Sequence, residues 1–394
     1  MNRIIIVGSG FSGSILARKI VEELNRPVTI LEKRSHIGGN MYDKYDKNGI
    51  LIQKYGPHFL NTDHYYVIEY LQQFARLFPH NAKLLSFIDG NYVQLPFNFT
   101  TVQQLLGAKQ SGPLLEKLRA AFKGRDRVPV LELVKHSDSE ISAYGTLLFE
   151  KAYRTYTSKM WGIQPEEIDQ YVLDRVPMAM NYDERYLNKD FQYLPEEGFT
   201  KLFEKLLEHP DIEICLNTDA LEHLELDRHD HIIRCDGKPV DCVVYTGAID
   251  ELFGCKYGTL PYRSLDIRYT WYDKESVLPC EIISYPQTSD CTRSTEYRKM
   301  MFDSSRARGS VIATEYPLNY DPAAEKGNIP YYPVVTEESR ARYQMYLREV
   351  SEYENLFLCG RLAEFRYYNM DICIEHALQY FENIRVYLEK KTHG

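Results

Sequence analysis

The first forty residues constrain the fold more than any other part of the chain. A short β-branched run, Arg3 to Val7, leads into the turn Gly8-Ser9-Gly10-Phe11-Ser12-Gly13, and the apolar spacing from Ser14 to Val21 predicts a helix. In such a turn the first glycine permits the sharp bend, the second lets the backbone approach a pyrophosphate, and the third allows close packing of helix on strand. The helix N-terminus also favours phosphate charge. The segment therefore predicts a dinucleotide-binding α/β domain.

A second predicted strand, Pro27 to Leu31, ends at Glu32, which lies 19 residues after Gly13. An acidic side chain at this point is placed to accept hydrogen bonds from an adenosine ribose. The basic pair Lys33-Arg34 follows, and then a second glycine turn, Gly38-Gly39-Asn40. Two glycines let the chain run flat against a second cofactor surface, which suits the longer FAD better than NAD. An ordinary loop explains the doublet equally well.

Composition narrows the class of protein. With 394 residues, 44 % of them apolar, the chain predicts two or three domains with a sizeable core. A net charge of −9 argues against binding of nucleic acid by bulk charge. Apolar runs such as Ile4 to Val7 are too short for a membrane span or signal peptide, so we expect a cytoplasmic protein. The eight cysteines contain no C-x-x-C pair and are expected to be reduced.

The remaining chain alternates between helical and strand patterns. We predict a helix from His64 to Leu77, a hairpin around Asp89-Gly90-Asn91, and a mainly helical insertion over residues 101–162. Short strands and turns dominate residues 186–345. A closing strand from Leu356 to Cys359 and a final helix from Ile372 to about Lys390 could join the N-terminal sheet, which would make the nucleotide-binding domain discontinuous.

Distinct short motifs are distributed along nearly the whole chain, from Arg3 to Met370. They include His36-Ile37-Gly38-Gly39-Asn40, Tyr55-Gly56-Pro57-His58, Leu95-Pro96-Phe97-Asn98, Tyr156-Thr157 with Lys159 and Trp161-Gly162, Asn181-Tyr182-Asp183, Ile329-Pro330-Tyr331-Tyr332-Pro333 and Gly360-Arg361-Leu362. In order and spacing these motifs resemble those of the bacterial, flavin-dependent UDP-galactopyranose mutases.

The resemblance implies an α/β fold: a discontinuous Rossmann-like FAD-binding domain with an inserted helical domain and a twisted antiparallel β-sheet domain. The implied division assigns the FAD-binding domain to residues 1–80, 199–262 and 336–394. It assigns sheet strands to 81–98, the helical domain to 99–180, a sheet and substrate-cleft segment to 181–198, and the antiparallel sheet domain to 263–335.

The resemblance also implies a chemistry. In the family, N5 of reduced FAD attacks the anomeric carbon of a nucleotide-diphospho-sugar, the diphosphate leaves, and the sugar opens as a flavin adduct before it recloses as a furanose. The default reaction is conversion of UDP-galactopyranose to UDP-galactofuranose for cell-surface polysaccharide biosynthesis. A cellular reductant, NAD(P)H or a reductase, and a homodimer are further expectations.

Site residues follow from the same resemblance. It implies that Arg175 and Arg293 act on the diphosphate and that His58 lies beside the flavin. The implied substrate-binding residues are Asn81, Tyr153, Tyr156, Thr157, Trp161, Tyr186, Tyr316, Tyr367 and Asn369. The implied cofactor-binding residues are Gly8, Gly10, Phe11, Ser12, Gly13, Glu32, Lys33, Gly38, Gly39, Asn40, His58, Gly360, Arg361 and Met370. No metal ligands are implied.

The chemistry requires residues of these types independently of the resemblance. A departing diphosphate concentrates negative charge, and fixed cations aimed at it stabilise the transition state more than the ground state. Tyrosine hydroxyls donate to phosphate without adding charge, and the chain has 32 tyrosines. Taken alone, however, either arginine is more often part of a surface ion pair, and each tyrosine more often a partly buried core residue.

Five positions depart from the family pattern where selectivity is expected. They are Asn61, Ala152, Ala179, Ile283 and Asn369. Less polar residues at two of them suit a 6-deoxy sugar nucleotide such as dTDP-fucose, and the small Ala152 leaves room for a purine base, as in a GDP-sugar. Neutral drift explains the same changes.

Two other classes share the N-terminal motifs. A FAD amine oxidase or desaturase has the same fingerprint and glycine doublet, but would need net oxidation of its substrate. A flavin-fold binding or escort protein would keep the nucleotide site without needing the phosphate arginines.

Overall fold

The strand Ile4–Val7 lies at the centre of a five-stranded parallel sheet. The computed structural model describes residues 3–162, 177–186, 188–288 and 290–393. The strands of this sheet lie in the order Ile212–Leu216, Val28–Glu32, Ile4–Val7, Cys242–Tyr245 and Leu356–Leu358. Because the sheet draws on segments from both ends of the chain, the nucleotide-binding unit is discontinuous in sequence, as predicted.

Helices cover both faces of the parallel sheet. Ile4 packs in the core formed with the helices Phe11–Leu24 and Met370–His393, whereas Ile5 packs on the opposite face with the helix Glu337–Val350. A strand buried on both faces needs no polar alternation, which explains the run Ile4-Ile5-Ile6-Val7 in the sequence.

A second, seven-stranded sheet supports the cleft described below. Its strands lie in the order Tyr332–Pro333, Tyr262–Tyr272, Ser310–Asn319, Arg293–Glu296, Ile282–Ser284, Leu84–Ile88 and Asn91–Leu95. Ser284 lies opposite both Ser86 and Arg293, and Arg293 lies opposite Glu315. Because side chains alternate along a strand, these four residues form one row on one face of the sheet.

The helical block lies beside this sheet. Its helices are Phe99–Leu106, Ala108–Ala121, Val130–Val134, Ser139–Leu148 and Thr155–Trp161. The first begins at Asn98, whose side chain accepts from the Thr101 N–H while the Thr101 hydroxyl accepts from the Asn98 N–H. Between the last two helices, Phe149–Arg154 forms one stretch of π-helix, which accommodates an extra residue per turn.

Shorter elements complete the fold. The small sheets contain Asp43–Tyr45 with Leu51–Gln53, Leu60–Thr62 with Phe191–Pro195 and Leu77–Pro79, Arg127–Val128 with Met178–Ala179, and Leu224–Asp227 with Ile232–Cys235 and Lys238–Pro239. The other helices are Tyr65–Gln72, Phe199–Leu206 and Ile249–Leu252, and the short 3₁₀ turns are Gly39–Met41, Ala220–Glu222 and Tyr297–Met300.

The predicted α/β class is confirmed, and one helix boundary is wrong. The helix predicted to reach Leu77 ends at Gln72, and Leu77–Pro79 is instead a strand that pairs with Phe191–Pro195. Such pairing is a tertiary contact that local periodicity does not reveal. Within the described ranges, no helix has the length and apolar character that crossing a membrane requires. The seven segment boundaries given above stay predictions.

Candidate active site

The N-terminal glycine turn forms one end of a long groove. A Cβ atom on Gly13 would lie 2.0 Å from the Gly8 carbonyl oxygen, so only glycine allows this approach of helix to turn. The second glycine turn packs against the first, since a Cβ atom on Gly39 would lie 3.1 Å from the Gly10 Cα. The two turns therefore form a single, side-chain-free surface on which a pyrophosphate can lie.

Glu32 anchors the other part of this groove. Its carboxylate accepts from the Ser9 N–H at 2.9 Å and the Ser9 hydroxyl at 2.6 Å, and also from the Arg34 N–H at 2.9 Å. These bonds hold the acidic side chain at the end of its strand, where the sequence predicts a ribose contact. Lys33 also lines the groove and forms a 3.9 Å ion pair with Glu251.

The C-terminal part of the chain completes the groove. Its lining contains every residue predicted to bind the cofactor except His58: Gly8, Gly10, Phe11, Ser12, Gly13, Glu32, Lys33, Gly38, Gly39, Asn40, Gly360, Arg361 and Met370. A Cβ atom on Gly360 would lie 2.9 Å from the Ser12 hydroxyl, so the C-terminal segment packs closely against the N-terminal glycine turn. The groove has the shape and donors that an extended dinucleotide such as FAD requires.

A cleft of 820 Å³ opens from the far end of the groove. Tyr367 and Asn369 line the cleft, while Arg361 and Met370 on the same segment line the groove, so the two cavities meet there. One wall is the sheet row that contains Ser86, Ser284 and Arg293. Opposite it lies the end of the helical block; its cleft-lining residues are Ala152, Tyr153, Tyr156, Thr157 and Met160.

A buried ion pair forms the centre of the sheet wall. The Nε of Arg293 donates to Glu315 Oε2 at 2.8 Å, and the Glu315 side chain is 1 % exposed. Burial opposes the charge of Arg293, but the Glu315 carboxylate raises the pKa of the guanidinium well above its ordinary value. Among the described residues, none donates to Glu315 Oε1. The pair therefore fixes a permanent cation at the cleft with one carboxylate oxygen still available.

His58 lies close to this pair and is neutral. Burial, with the nearby cations Arg361 and Arg293, lowers the pKa of His58 to about 3. Gln53 holds its backbone, since Gln53 Oε1 accepts from the His58 N–H and Gln53 Nε2 donates to the His58 carbonyl at 3.3 Å. Within the described part of the chain, the ring Nδ1 has no hydrogen-bond partner. The ring can thus offer or accept a hydrogen bond without bringing charge.

Tyrosines surround the arginine. Tyr156, Tyr186 and Tyr367 line the cleft. Tyr332 stacks on Tyr367 with ring centroids 5.2 Å apart, and the Arg361 guanidinium lies 5.0 Å from the Tyr332 ring centre. Burial and neighbouring Tyr367 raise the pKa of Tyr332 to about 12, so it stays a neutral donor.

Several predicted substrate residues do not reach the cleft or fall outside the described chain. Tyr316 follows Glu315 on the same strand and therefore faces the other side of the sheet, where it lies 3.8 Å beneath the exposed Arg268 guanidinium. Asn81 is exposed and is not part of the cleft lining. Arg175 lies outside the described residues, and Trp161 closes its helix.

Four of the five positions that depart from the family pattern line the cleft, and one does not. Asn61, Ala152, Ala179 and Asn369 line the cleft. Ile283 does not: it is fully buried on the opposite face, and its neighbour Ser284 occupies the cleft row. The expectation that Ile283 makes the pocket less polar is therefore wrong, because a serine hydroxyl faces the cleft instead.

Sequence reasoning misses three residues of the site: Ser284, which lines the cleft, and Glu315 and Tyr332, which pack against the lining residues Arg293 and Tyr367. The chain offers a signal for two of them. Glu315 lies in a strand-like run, in which the period-two alternation of side chains indicates the face of the sheet on which each residue lies. Tyr332 lies within the motif Ile329-Pro330-Tyr331-Tyr332-Pro333. Ser284 could be found only from the register of its strand against Arg293.

A Cys–His–Glu group lies behind the groove. The Cys359 Sγ is 3.7 Å from His376 Nδ1, and His376 Nε2 is 3.2 Å from the Glu364 carboxylate. Each ring nitrogen of His376 faces a different partner, so the imidazole bridges the Cys359 thiol and the Glu364 carboxylate. In this arrangement the three side chains do not point at a common metal ion. Glu364 also accepts from the Gly360 N–H at 2.8 Å. The group thereby orients the Gly360-Arg361 segment.

The fold and the two joined cavities define a class: a Rossmann-like flavoprotein in which a cleft for an anionic substrate opens onto the flavin site. Residues 151–367 match the family model described as UDP-galactopyranose mutase, and residues 6–74 match one described as an NAD(P)-binding Rossmann-like domain. A dTDP-fucopyranose mutase of Escherichia coli is 33 % identical over 386 residues, which cover 96 % of this chain and 97 % of that protein. A probable UDP-galactopyranose mutase of Klebsiella pneumoniae is 32 % identical, with coverage of 95 % and 93 %.

Among solved structures, a reduced UDP-galactopyranose mutase aligns with a TM-score of 0.70 at 13 % identity, over 98 % of this chain and 94 % of the other. The chain belongs to the UDP-galactopyranose mutase family, as its motifs led us to expect. It is a nucleotide-sugar pyranose/furanose mutase, an isomerase of the intramolecular transferase type, and its cofactor is FAD.

Proposed function

We propose that the protein converts UDP-galactopyranose to UDP-galactofuranose by covalent catalysis through its reduced flavin. The observation that supports the proposal most strongly is the buried Arg293–Glu315 pair, whose arginine lines the cleft. A cation held in place by a buried carboxylate is already positioned before charge develops on a leaving diphosphate, so no reorganisation opposes the reaction.

The residues of the cleft divide the work. Arg293 would bind the diphosphate and stabilise the charge it gains on leaving, while Tyr156, Tyr186, Tyr332 and Tyr367 would donate to phosphate oxygens. Burial raises the pKa values of Tyr156 and Tyr332, so these two tyrosines add donors without adding repulsive charge. Arg175 keeps its expected role as the second diphosphate arginine.

FAD supplies, when bound and reduced, the N5 nucleophile for the anomeric carbon. This chain's part is to hold it: the two glycine turns would receive the pyrophosphate, Glu32 would bind the ribose, and the Gly360-Arg361 segment would hold the other end of the cofactor. His58 would contact the flavin end of the cofactor as a neutral ring. The positive charge near it comes from Arg293 and Arg361.

A dTDP-6-deoxyhexose is the second candidate substrate. Ala179 lines the cleft at a position where an arginine was expected, which removes one polar partner, and the Escherichia coli relative is named a dTDP-fucopyranose mutase. A GDP-sugar is a further option because Ala152, which also lines the cleft, leaves volume beside Tyr153.

The proposal also covers the cellular location, oligomeric state and reductant of the enzyme. We infer a cytoplasmic homodimer whose flavin is reduced by NAD(P)H or a reductase and whose product enters cell-surface polysaccharide synthesis. These parts follow from the family resemblance in the sequence.

One experiment tests the function. Dithionite-reduced protein is incubated with UDP-galactopyranose, dTDP-fucopyranose and a GDP-hexopyranose, and the products are separated and weighed. We expect a new isomer of equal mass from UDP-galactopyranose. Turnover only with the dTDP-6-deoxy sugar would identify the second candidate.

Two results would refute mutase activity. A product of altered mass that forms only with oxygen or another acceptor would indicate an oxidase or desaturase. Tight binding of FAD with no product from any of the three sugars would favour a binding protein.

A further inference from the structure

Lys159 makes an unusual set of contacts behind the cleft. Its ammonium group donates to the backbone carbonyls of Tyr285, Thr288 and Cys291 at 2.7, 2.6 and 2.9 Å, and it lies 3.3 Å from the Thr288 hydroxyl. Its three protons are therefore matched by three convergent carbonyl oxygens. Among the described residues, no carboxylate forms an ion pair with it.

These carbonyls belong to the connection between two strands of the cleft wall. Ile282–Ser284 ends just before Tyr285, and Arg293–Glu296 begins just after Cys291. Ser284 and Arg293 lie opposite each other and both line the cleft. Lys159 thus holds the hairpin from which Arg293 projects.

Lys159 itself lies on the opposite wall. It belongs to the helix Thr155–Trp161, whose Tyr156 and Thr157 line the cleft. The C-terminus of that helix is held by Arg263, which donates to the Met160 carbonyl at 2.8 Å and to the Lys159 carbonyl at 3.0 Å.

The two attachments hold the helix to different parts of the sheet. Arg263 is on the strand Tyr262–Tyr272, which pairs with the strand that bears Glu315, whereas Lys159 binds the connection that leads into the strand that bears Arg293. The helix is therefore fixed to the sheet both at the strand next to Glu315 and at the connection before Arg293.

Burial makes the arrangement costly. Half-burial lowers the pKa of Lys159, because its partners are neutral carbonyls that replace water only in part. By comparison, the exposed Lys201 on the helix Phe199–Leu206 forms an ordinary surface ion pair with Glu204. A half-buried ammonium whose hydrogen-bond partners are all neutral oxygens contributes geometry more than net stability.

We propose that Lys159 is a positioning residue that sets the gap between the nucleotide-facing helix and Arg293. The proposal rests on the inferred binding of a nucleoside diphosphate in the cleft. A diphosphate bridging Tyr156 and Arg293 needs both walls at a fixed separation, and a shift of about 1 Å in such a site can cost on the order of 100-fold.

The test compares Lys159→Met with the control Lys201→Met in the FAD-loaded protein. Binding of UDP, dTDP and GDP is measured by titration, with kcat and KM measured alongside and FAD content determined from flavin absorbance. We expect Lys159→Met to weaken nucleotide binding about tenfold or more and to lower kcat, with FAD content unchanged, whereas Lys201→Met stays within about twofold of wild type.

A double-mutant cycle separates positioning from general stability. If Lys159 acts through Arg293, the double variant Lys159→Met/Arg293→Ala binds nucleotide no more weakly than Arg293→Ala alone. Additive losses would overturn the proposal, and so would near-wild-type nucleotide binding by Lys159→Met. Should Lys159→Met fail to fold, Lys159→Arg is carried through the same cycle, because a planar guanidinium keeps the charge without converging three protons on three carbonyls.

Failure of the proposed function gives a different pattern. Wild-type protein that binds a nucleotide but isomerises none of the sugars refutes the mutase assignment, and the binding cycle still decides the role of Lys159. Wild-type protein that binds none of the three nucleotides overturns both.

Discussion

Tyr316 and Tyr332 show how one residue type takes two different roles in the same sheet. Tyr316 lies beneath Arg268 on the outer face, whereas Tyr332 is buried against Tyr367 and close to Arg361. The proposed function therefore assigns a contact with the diphosphate to Tyr332 and none to Tyr316.

Removal of the two hydroxyls should therefore have unequal effects. Tyr332→Phe loses a donor to a charged group, worth roughly 1.5–3 kcal/mol, so we expect kcat/KM of the reduced enzyme to fall about 10- to 100-fold with FAD still bound. Tyr316→Phe serves as the control and should stay within about twofold. Equal losses, or a larger loss at Tyr316, would mean that the face of this strand has been assigned incorrectly.

For single residues, the sequence predicts local motifs well, but it predicts poorly which face of a sheet a strand residue lies on. The glycine turn and Glu32 were found because strand, turn and helix are contiguous in the chain. The family resemblance places Tyr316 and Ile283 at the cleft, but an error of one position moves a strand residue to the other face of the sheet. Register depends on partners far away in sequence, so motif spacing alone does not determine it.

Among the secondary-structure elements, the π-helical stretch Phe149–Arg154 has the clearest functional consequence. Before it, Ile141, Tyr144 and Leu148 face the core of the helical block, and within it Ala152 and Tyr153 face the same core. The extra residue advances the following helix by about 100° compared with a continuous α-helix.

Deletion of Glu150 should let a continuous α-helix form and rotate Tyr156 and Thr157 away from the cleft. We expect nucleotide affinity of the FAD-loaded variant, measured by titration, to fall about tenfold or more. Glu150→Ala keeps the length of the segment and loses only an exposed ion pair with Arg154, so its affinity should match wild type. Wild-type binding by the deletion variant would show that the π-helix has no part in positioning the helix.

Helix boundaries show the same limit of sequence reasoning. Periodicity identified helical segments over residues 101–162, but it gave no sign of the π-helix, because one additional residue barely disturbs an apolar repeat. The helix after His64 was extended five residues too far, to Leu77, since the strand Leu77–Pro79 is stabilised by pairing with residues more than a hundred positions away.

The whole molecule buries several titratable groups, and this makes its stability depend on pH. Burial lowers the pKa of His36, His58 and His80, in the case of His58 to about 3. Below the ordinary histidine pKa of about 6.5 the unfolded chain takes up these protons and the native state does not. Stability is therefore complete above pH 6.5 and falls as the pH decreases, by up to about 1.4 kcal/mol per pH unit for one such group.

Thermal unfolding at pH 7.5 and pH 5.0 tests this dependence. The Tm of wild type should decrease between the two values, and His58→Gln should decrease less because glutamine takes up no proton. Buried Asp43, Asp250 and Asp371, whose pKa values are raised by burial, act in the opposite sense, so the difference between variant and wild type is the decisive quantity. An identical decrease in both proteins would show that His58 is not held neutral by the fold.

The order of strands in the parallel sheet has a consequence for biosynthesis. The sheet takes strands from residues 4–7, 28–32, 212–216, 242–245 and 356–358, and the flavin groove is completed by Gly360, Arg361 and Met370. During translation the first two strands leave the ribosome while most of their partners are still unmade. The nascent chain therefore spends most of its synthesis with an open sheet, and the groove is complete only near the end, when the C-terminal helix docks beside Phe11–Leu24.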